Sequence, residues 1–317
     1  MKAATFFDGT EWRDGVVELA DGRVRLRDER PTPDLPRIDG VVTGAFTDHH
    51  VHLQLVEHGR LSSSRLGRVV DLGGNPQVLR RLAVRAVAID YAGAFLTAPG
   101  GYPSDRDWAP EGSVREIADP DSAAAAVTEM AAAGATRIKV TSNSSAGPVF
   151  SDDLFRAIVR VADAHGLAVV AHAEGVDEAQ RVVRLGASHL AHAPFTERLD
   201  DDEIAHQAAS ASWISTLAIH DDPERAIAID NVRRFHDAGG TVLYGTDLGN
   251  GPMPVDLNAR EVAALREAAL DEAALLRALA PVDPLDAASA LLLLPGSSPA
   301  AVDPLDARPL TPADLKV

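Results

Sequence analysis

The chain has 317 residues, 46% of them hydrophobic and 24% charged, the composition of a soluble globular protein with room for one large domain and a small accessory piece. Its formal charge of −17 disfavours nucleic acid or an anionic membrane as a partner, because a phosphate-binding surface needs clustered Lys and Arg. With no cysteine it has no disulfide framework and no thiolate metal site; no apolar run approaches the ~20 residues that span a bilayer, residues 1–12 do not read as a signal peptide, and a cytoplasmic location is expected.

Taken in chain order, residues 16–19 and 23–26 read as two strands around Asp21-Gly22, a hairpin signal, and Pro31, Pro33 and Pro36 mark a linker. Strand-like and helix-like segments then alternate. The strands are expected at 41–47, 68–72, 87–96, 136–141, 167–172, 188–192, 212–217 and 241–246. Helical patterns lie between them, among them 121–133, 151–165, 176–185 and 223–238, and Gly134, Gly166, Gly186 and Gly239 stand where C-terminal glycines belong. Eight strands alternating with helices predict an α/β chain, a (β/α)8 TIM-like barrel. Residues 271–280 and 284–294 read as helical, 295–312 as irregular, and 313–317 as a strand returning beside the N-terminal hairpin.

Six polar residues stand at or just past the ends of the apolar runs: His50 and His52, Lys139, His172, His192 and Asp247. The gaps between them are 87, 33, 20 and 55 positions, which at roughly 30 residues per βα unit places them on strands 1, 4, 5, 6 and 8. Barrel enzymes carry their chemistry at that end of the strands. The i, i+2 spacing of His50 and His52 puts both imidazoles on one face of a strand, within reach of one cation, and His49 on the opposite face, in a structural role. An H-x-H pair alone is a weak signal, and a single histidine at a strand end is often a hydrogen-bonded core residue. Two on successive strands, joined to an H-x-H and a late aspartate, point instead to a nitrogen-rich site suited to Zn2+, with Fe, Co or Mn as substitutes. Asp247 reads as an N-cap or, given the histidines, as a ligand and proton carrier. Lys139 interrupts an otherwise apolar strand and faces inward if the strand alternates. Beside cations its amine is expected to be neutral and nucleophilic, able to capture CO2 as a carbamate.

Around this cluster, Tyr102 in the loop 97–103, His220 past strand 7 and Asn143 past Lys139 are candidate substrate contacts, the alternatives being an ordinary turn, a surface histidine and a loop residue. Gly100-Gly101 is no phosphate loop, since neither a lysine nor a helix start follows. Glu174 either orients a metal ligand from behind or favours the start of the next helix.

Asp48-x-His50-x-His52, Lys139, His172, His192 and Gly245-Thr246-Asp247 together resemble the amidohydrolase superfamily in its binuclear, carboxylated-lysine form, over about residues 41–290. Val70-Asp71-Leu72-Gly73-Gly74, Ala133-Gly134-Ala135 before Ile138-Lys139, and Ala171-His172-Ala173-Glu174-Gly175 resemble its imidazolonepropionase-like and Xaa-Pro dipeptidase-like members. The resemblance implies two divalent ions. His50 and His52 would hold the more buried one, His172 and His192 the other, with a carbamate on Lys139 and a hydroxide bridging them and Asp247 serving as ligand, base and then acid. It implies a small accessory β-sandwich from residues 1–42 and 296–317 beside a barrel of 43–295. Thr43 stands where the family has proline. The sandwich looks reduced, with only Ala313-Asp314-Leu315 resembling the family's closing strand.

The expected function is hydrolysis of a C–N bond, an amide or cyclic amide, in a small molecule, by a metal-dependent enzyme, with a homo-oligomer among the expected states. The alternatives are a one-metal deaminase of the same superfamily, for which Glu174 would be the acid and Lys139 would have no use, a lactone or phosphoester hydrolase on the same metals, and a non-catalytic barrel, against which the complete ligand set speaks.

Overall fold

A computed structural model describes residues 1–296 and 301–316. The chain opens with β1 (Lys2–Phe7), β2 (Trp12–Ala20), β3 (Arg23–Arg27) and β4 (Arg37–Gly44). Alternating segments follow: β5 (Phe46–Val51), β6 (Leu66–Asp71), β7 (Ala88–Tyr91), β8 (Phe95–Thr97), β9 (Val114–Glu116), β10 (Arg137–Asn143), β11 (Ala168–Glu174), β12 (His189–Leu190), β13 (Ser212–Ile214) and β14 (Thr241–Leu243). The last strands are β15 (Leu291–Leu294) and β16 (Arg308–Pro309). They form a six-stranded sheet β16-β15-β4-β1-β2-β3, a seven-stranded parallel sheet β14-β13-β12-β11-β10-β8-β9 and a three-stranded parallel sheet β5-β6-β7. The fold is therefore mixed α/β, with helices such as Pro120–Ala133, Asp152–Ala164, Glu178–Arg184 and Glu224–Asp237 between the parallel strands. None of the helices in the described residues is long and apolar enough to cross a membrane.

The two parallel sheets are tied together at both ends. β7 runs into β8 through residues 92–94, and the segment after β14 bonds to β5, with His49 N to Tyr244 O at 3.0 Å and His52 N to Leu248 O at 2.7 Å. Residues 87–96, expected as one strand, are thus two, because Gly93 at φ +79° breaks the run and an added Cβ there would lie 2.4 Å from Met130 Sδ. The expected strand 41–47 also divides. Residues up to Gly44 pair with β1 and β15 in the six-stranded sheet, and the chain then steps across to β5. Gly44 makes that step possible, since a Cβ there would sit 1.9 Å from Val282 O.

At the N-terminus the expected hairpin forms, with Asp21 and Gly22 at φ 50° and 75° between β2 and β3. The C-terminal expectations fail in two places. Residues 291–294, read as the end of a helix, are strand β15 antiparallel to β4, with all four leucines buried. An unbroken apolar run carries no period, so a buried strand reads like a buried helix, and burial of about 2 kcal/mol per leucine goes to whichever partner the fold supplies. Residues 313–316, expected to be extended, fall mainly in the 3-10 turn Pro312–Leu315, closed by Asp314 Oδ2 accepting from Thr311 N at 2.8 Å. Of the stretch 295–312, expected to be irregular, residues 297–300 lie outside the described residues, as does residue 317.

The large core lies between parallel sheet and helices, and a second cluster, including Phe6, Val17, Val42 and Leu293, serves the six-stranded sheet. A third, smaller cluster joins Val70, Leu72, Ala92, Val170, Ala191 and Ile214. These residues lie on or just past β6, β7, β11, β12 and β13, and the polar cluster is built from that level outward: Lys139 is in register with Val170, and His172 with Thr141.

Candidate metal centre

Strand geometry explains which side chains meet. On β5 the two-residue period sends His50 and His52 to one face and His49 to the other, where its Nδ1 lies 3.1 Å from Tyr244 O and burial holds its pKa down at about 4. His50 Nε2 and His52 Nε2 converge on Asp247 Oδ1, at 3.2 and 3.1 Å. The ring centroids of His50 and His192 are 4.8 Å apart, as are those of His172 and His192. Lys139, with 1% of its surface exposed, lines the same cavity as all four rings and Asp247. The six residues singled out by spacing are therefore brought together, and His50, His52 and Asp247 form the tightest group, with ligand atoms within 4.8 Å of one another.

The imidazoles are aimed from behind. His50 Nδ1 lies 2.8 Å from Ala191 O, and His52 Nδ1 3.0 Å from Gly73 O. A carbonyl accepts only, so each Nδ1 carries a proton and each Nε2 is turned inward; burial leaves His50 neutral, with an Nε2 lone pair, whereas at His52 the facing Asp247 outweighs burial and raises the pKa. His192 Nδ1 is 2.9 Å from Thr216 Oγ1. Thr216 itself sits at φ 45°, costly for a β-branched residue, and is held there by Glu261, whose two carboxylate oxygens accept from Leu217 N and Ala218 N at 3.0 and 2.7 Å. His172 differs, since its Nε2 faces Glu174 Oε2 at 3.1 Å.

Buried carboxylates fix the loops that carry the ligands. Asp48 accepts from His50 N, Thr246 N and Thr246 Oγ1, which ties the residue just before Asp247 to β5. Asp71 accepts from Leu53 N and Gly73 N, setting the carbonyl that holds His52. Complete burial pushes Asp48 up to about 7 and Asp71 to about 6. Burial also drives His50 well below the usual imidazole range, so its ring is neutral, and brings Lys139 down to about 7, with Asp247 and Asp71 opposing that fall. Burial would raise Asp247, but the facing imidazoles of His50, His52 and His192 outweigh it and hold it ionised. Asn250 Nδ2 donates to Asp247 Oδ2 at 3.0 Å, which turns Oδ1 toward the histidines.

His50 Nε2 and Asp247 Oδ1 are fully buried and, despite the short distance between them, neither makes a hydrogen bond with any described residue. Two lone-pair donors facing each other without a proton between them is the arrangement a cation resolves. The donor set, imidazole nitrogens and a carboxylate, suits a divalent ion of the zinc type.

The cluster opens into a cavity of about 470 Å³. Of the expected substrate contacts, Tyr102 and His220 line it. His220 stacks on Phe195 at 4.2 Å, its Nε2 is buried without a partner, and burial lowers its pKa to about 4. Asn143 corrects the expectation: it lies outside the lining, its Oδ1 accepting from Ser145 N and Ala146 N and its Nδ2 donating to Glu174. Glu174 reaches the cavity in its place. Phe95, Trp108, Phe195 and Asn250 were not read from the sequence. Trp108 and Phe195 lie outside strands and helices, where side chains give no periodic signal, and Phe95 on β8 reads as one more apolar strand residue.

No protein-family model matches the chain, and neither does any curated protein. Solved structures do. A Xaa-Pro dipeptidase with bound methionine in the active site aligns with a TM-score of 0.68 and 17% identity, over 94% of either chain. An amidohydrolase aligns with a TM-score of 0.69 and 20% identity, over 95% of this chain and 92% of the other. A prolidase from Bifidobacterium longum, described as putative, aligns with a TM-score of 0.67 and 21% identity, over 93% and 88%. The chain shares the fold of amidohydrolase and prolidase structures, and the likeness expected from the motifs holds at that level.

Proposed function

We propose that the chain is a binuclear metal-dependent amidohydrolase that cleaves a C–N bond, amide or cyclic amide, at the mouth of a closed (β/α)8 barrel formed by the two parallel sheets. The observation that carries the reading is the convergence of His50 Nε2, His52 Nε2 and Asp247 Oδ1, two of them buried without a hydrogen bond to any described residue, under Nδ1 groups held by carbonyls. The shared fold of amidohydrolase and prolidase structures supports it.

His50, His52 and Asp247 would hold one ion, and His172, His192 and Lys139, as its carbamate, the other. Bound divalent ions, Zn2+ above all, would polarise the scissile carbonyl and lower the pKa of water. Lys139 is prepared for the carbamate because burial brings its pKa down to about 7, so a large share of its amine is neutral near that pH: the neutral Nζ attacks CO2, the N–C bond forms and one proton leaves. With Oδ1 of Asp247 directed at the imidazoles, Oδ2 is the atom that takes a proton from the attacking water and returns it to the departing nitrogen. Asn250 keeps it in place for both transfers. Aromatic walls exclude bulk water from the reacting atoms, which strengthens each of these interactions.

The test is metal content with a substrate screen. The protein loaded with Zn2+ is expected to hold two ions per chain and to hydrolyse members of a panel of cyclic amides, N-acyl amino acids, dipeptides and anilides, with Asp247→Asn as the blank. Zero ions, or turnover undiminished in the variant, overturns the reading. A single ion with ammonia release from an aminated heterocycle replaces it with a deaminase.

A further inference from the structure

Around the polar cluster, the cavity is uneven in its chemistry. Phe95, Tyr102, Trp108 and Phe195 line it, with Phe95 5.6 Å from His52, Tyr102 5.3 Å from His172 and Phe195 6.2 Å from His192 between ring centroids, and Trp108 reached through Phe95 and Tyr102. Phe95 and Trp108 meet edge to face at 6.0 Å, and Trp108 is 41% exposed, a large apolar surface left open to the space it lines. Apart from the six cluster residues, the ionised side chain in this lining is Glu174. Its Oε2 receives Asn143 Nδ2 at 2.7 Å and faces His172 Nε2 at 3.1 Å, whereas Oε1 makes no hydrogen bond with any described residue. Among the described residues no arginine, and no lysine besides Lys139, lines the cavity. Arg106 lies outside that lining, over the Tyr102 ring at 5.6 Å, paired with Asp105 at 3.3 Å, and adds to His172 in holding Glu174 ionised.

A carboxylate oxygen without a donor beside aromatic faces is the chemistry that receives an ammonium group, through a charge-assisted hydrogen bond on one side and ring quadrupoles on the other. A substrate carboxylate in the same place would find no cation and would face Glu174, so it would be desolvated without compensation. The net charge of −17 works in the same direction by concentrating cations around the chain. Resting on the hydrolase reading above, we infer that the cavity binds a substrate ammonium group on Glu174 and Trp108, so that the bond cleaved belongs to an amide carrying a free amine and no carboxylate beside that bond.

Three matched anilides test this: phenylalanine 4-nitroanilide and its N-acetyl and N-succinyl forms, all releasing 4-nitroaniline. They are assayed with the Zn2+-loaded protein at pH 6.5, below the α-amino range of ~7.7–8.0. The free amine is expected to exceed the acetyl compound about tenfold in kcat/KM, with the succinyl compound slowest. Glu174→Gln should bring the amine-to-acetyl ratio toward one while keeping two ions per chain, and Trp108→Leu should raise KM for the amine more than for the acetyl form. Equal or faster turnover of the acetyl or succinyl compound overturns the ammonium site and leaves the hydrolase reading standing. Loss of an ion in Glu174→Gln also overturns it, since Glu174 would then be a metal ligand. No turnover of any of the three or of the wider amide panel, with two ions bound, overturns the hydrolase reading and this inference with it.

Discussion

The two halves of the cluster are held in different ways. His50 and His52 have their Nδ1 atoms on main-chain carbonyls, and the segments around them are clamped by Asp48 and Asp71, so two ring nitrogens and Asp247 Oδ1 already point at one place. In the other half, His172 Nε2 faces the side chain of Glu174, His192 rests on a threonine hydroxyl, and Lys139 Nζ makes no hydrogen bond among the described residues. Main-chain carbonyls aim the first half; side chains hold the rings of the second, and His172 Nε2 would have to leave Glu174 to face an ion. Preorganised ligands lose less freedom on binding, so the first ion is expected to bind more tightly and leave more slowly than the second.

Asp247→Asn should have the largest effect, since it removes the group proposed to move the proton. Activity on any amide that the protein hydrolyses is expected to drop about 10³-fold, and a residual rate within tenfold of the wild type would break the link between Asp247 and the chemistry. Lys139→Ala separates the halves directly. Metal analysis should find one ion where the parent protein holds two, and retention of both would show that the second half does not depend on the lysine. Thr216→Val leaves His192 without its hydroxyl and should weaken the second ion about 10–100-fold, read by chelator competition, with the first ion unchanged. Equal weakening of both would erase the contrast drawn here.

The smallest effect concerns Glu261, the carboxylate that holds the turn after β13. Burial raises it from 4.5 to about 7, against the lowering effects of Ser215, the Leu217 and Ala218 amides, and Arg225. Between those values the folded state binds more protons at this group than the unfolded state does, so its contribution to stability falls as pH rises from 4.5 to 7 and is level above. Glu261→Gln should therefore flatten the slope of unfolding free energy against pH in that window, as urea titrations of the metal-free protein would record. An unchanged slope would remove Glu261 as a titrating group.

The polar cluster was legible because its members stand within or just past apolar strand-like runs, and a polar residue of ligand type there breaks the run. Lys139 is the clearest case, a charged residue within Ile138-Lys139-Val140 that the structure buries. The C-terminal segment was not legible, because Leu291–Leu294 has no period and becomes strand or helix according to what lies beside it. The break in the third parallel strand is a similar case, since Gly93 is one glycine in an apolar stretch until Met130 packs against it. Asn143 was placed at the cavity on chain proximity alone, and the loop took both its polar ends.

By itself, the order of apolar runs and terminal polar residues determined an alternating α/β chain and the six side chains of its polar cluster, because strand period and strand ends are local properties of the chain. Tertiary structure decided which carbonyl aims each imidazole, that Thr216 is held in a left-handed conformation by Glu261, and that Glu174 rather than Asn143 reaches a cavity walled by Phe95, Trp108 and Phe195. Those contacts join residues tens to hundreds of positions apart, and orientation and burial at such distances follow from packing, which no local pattern encodes.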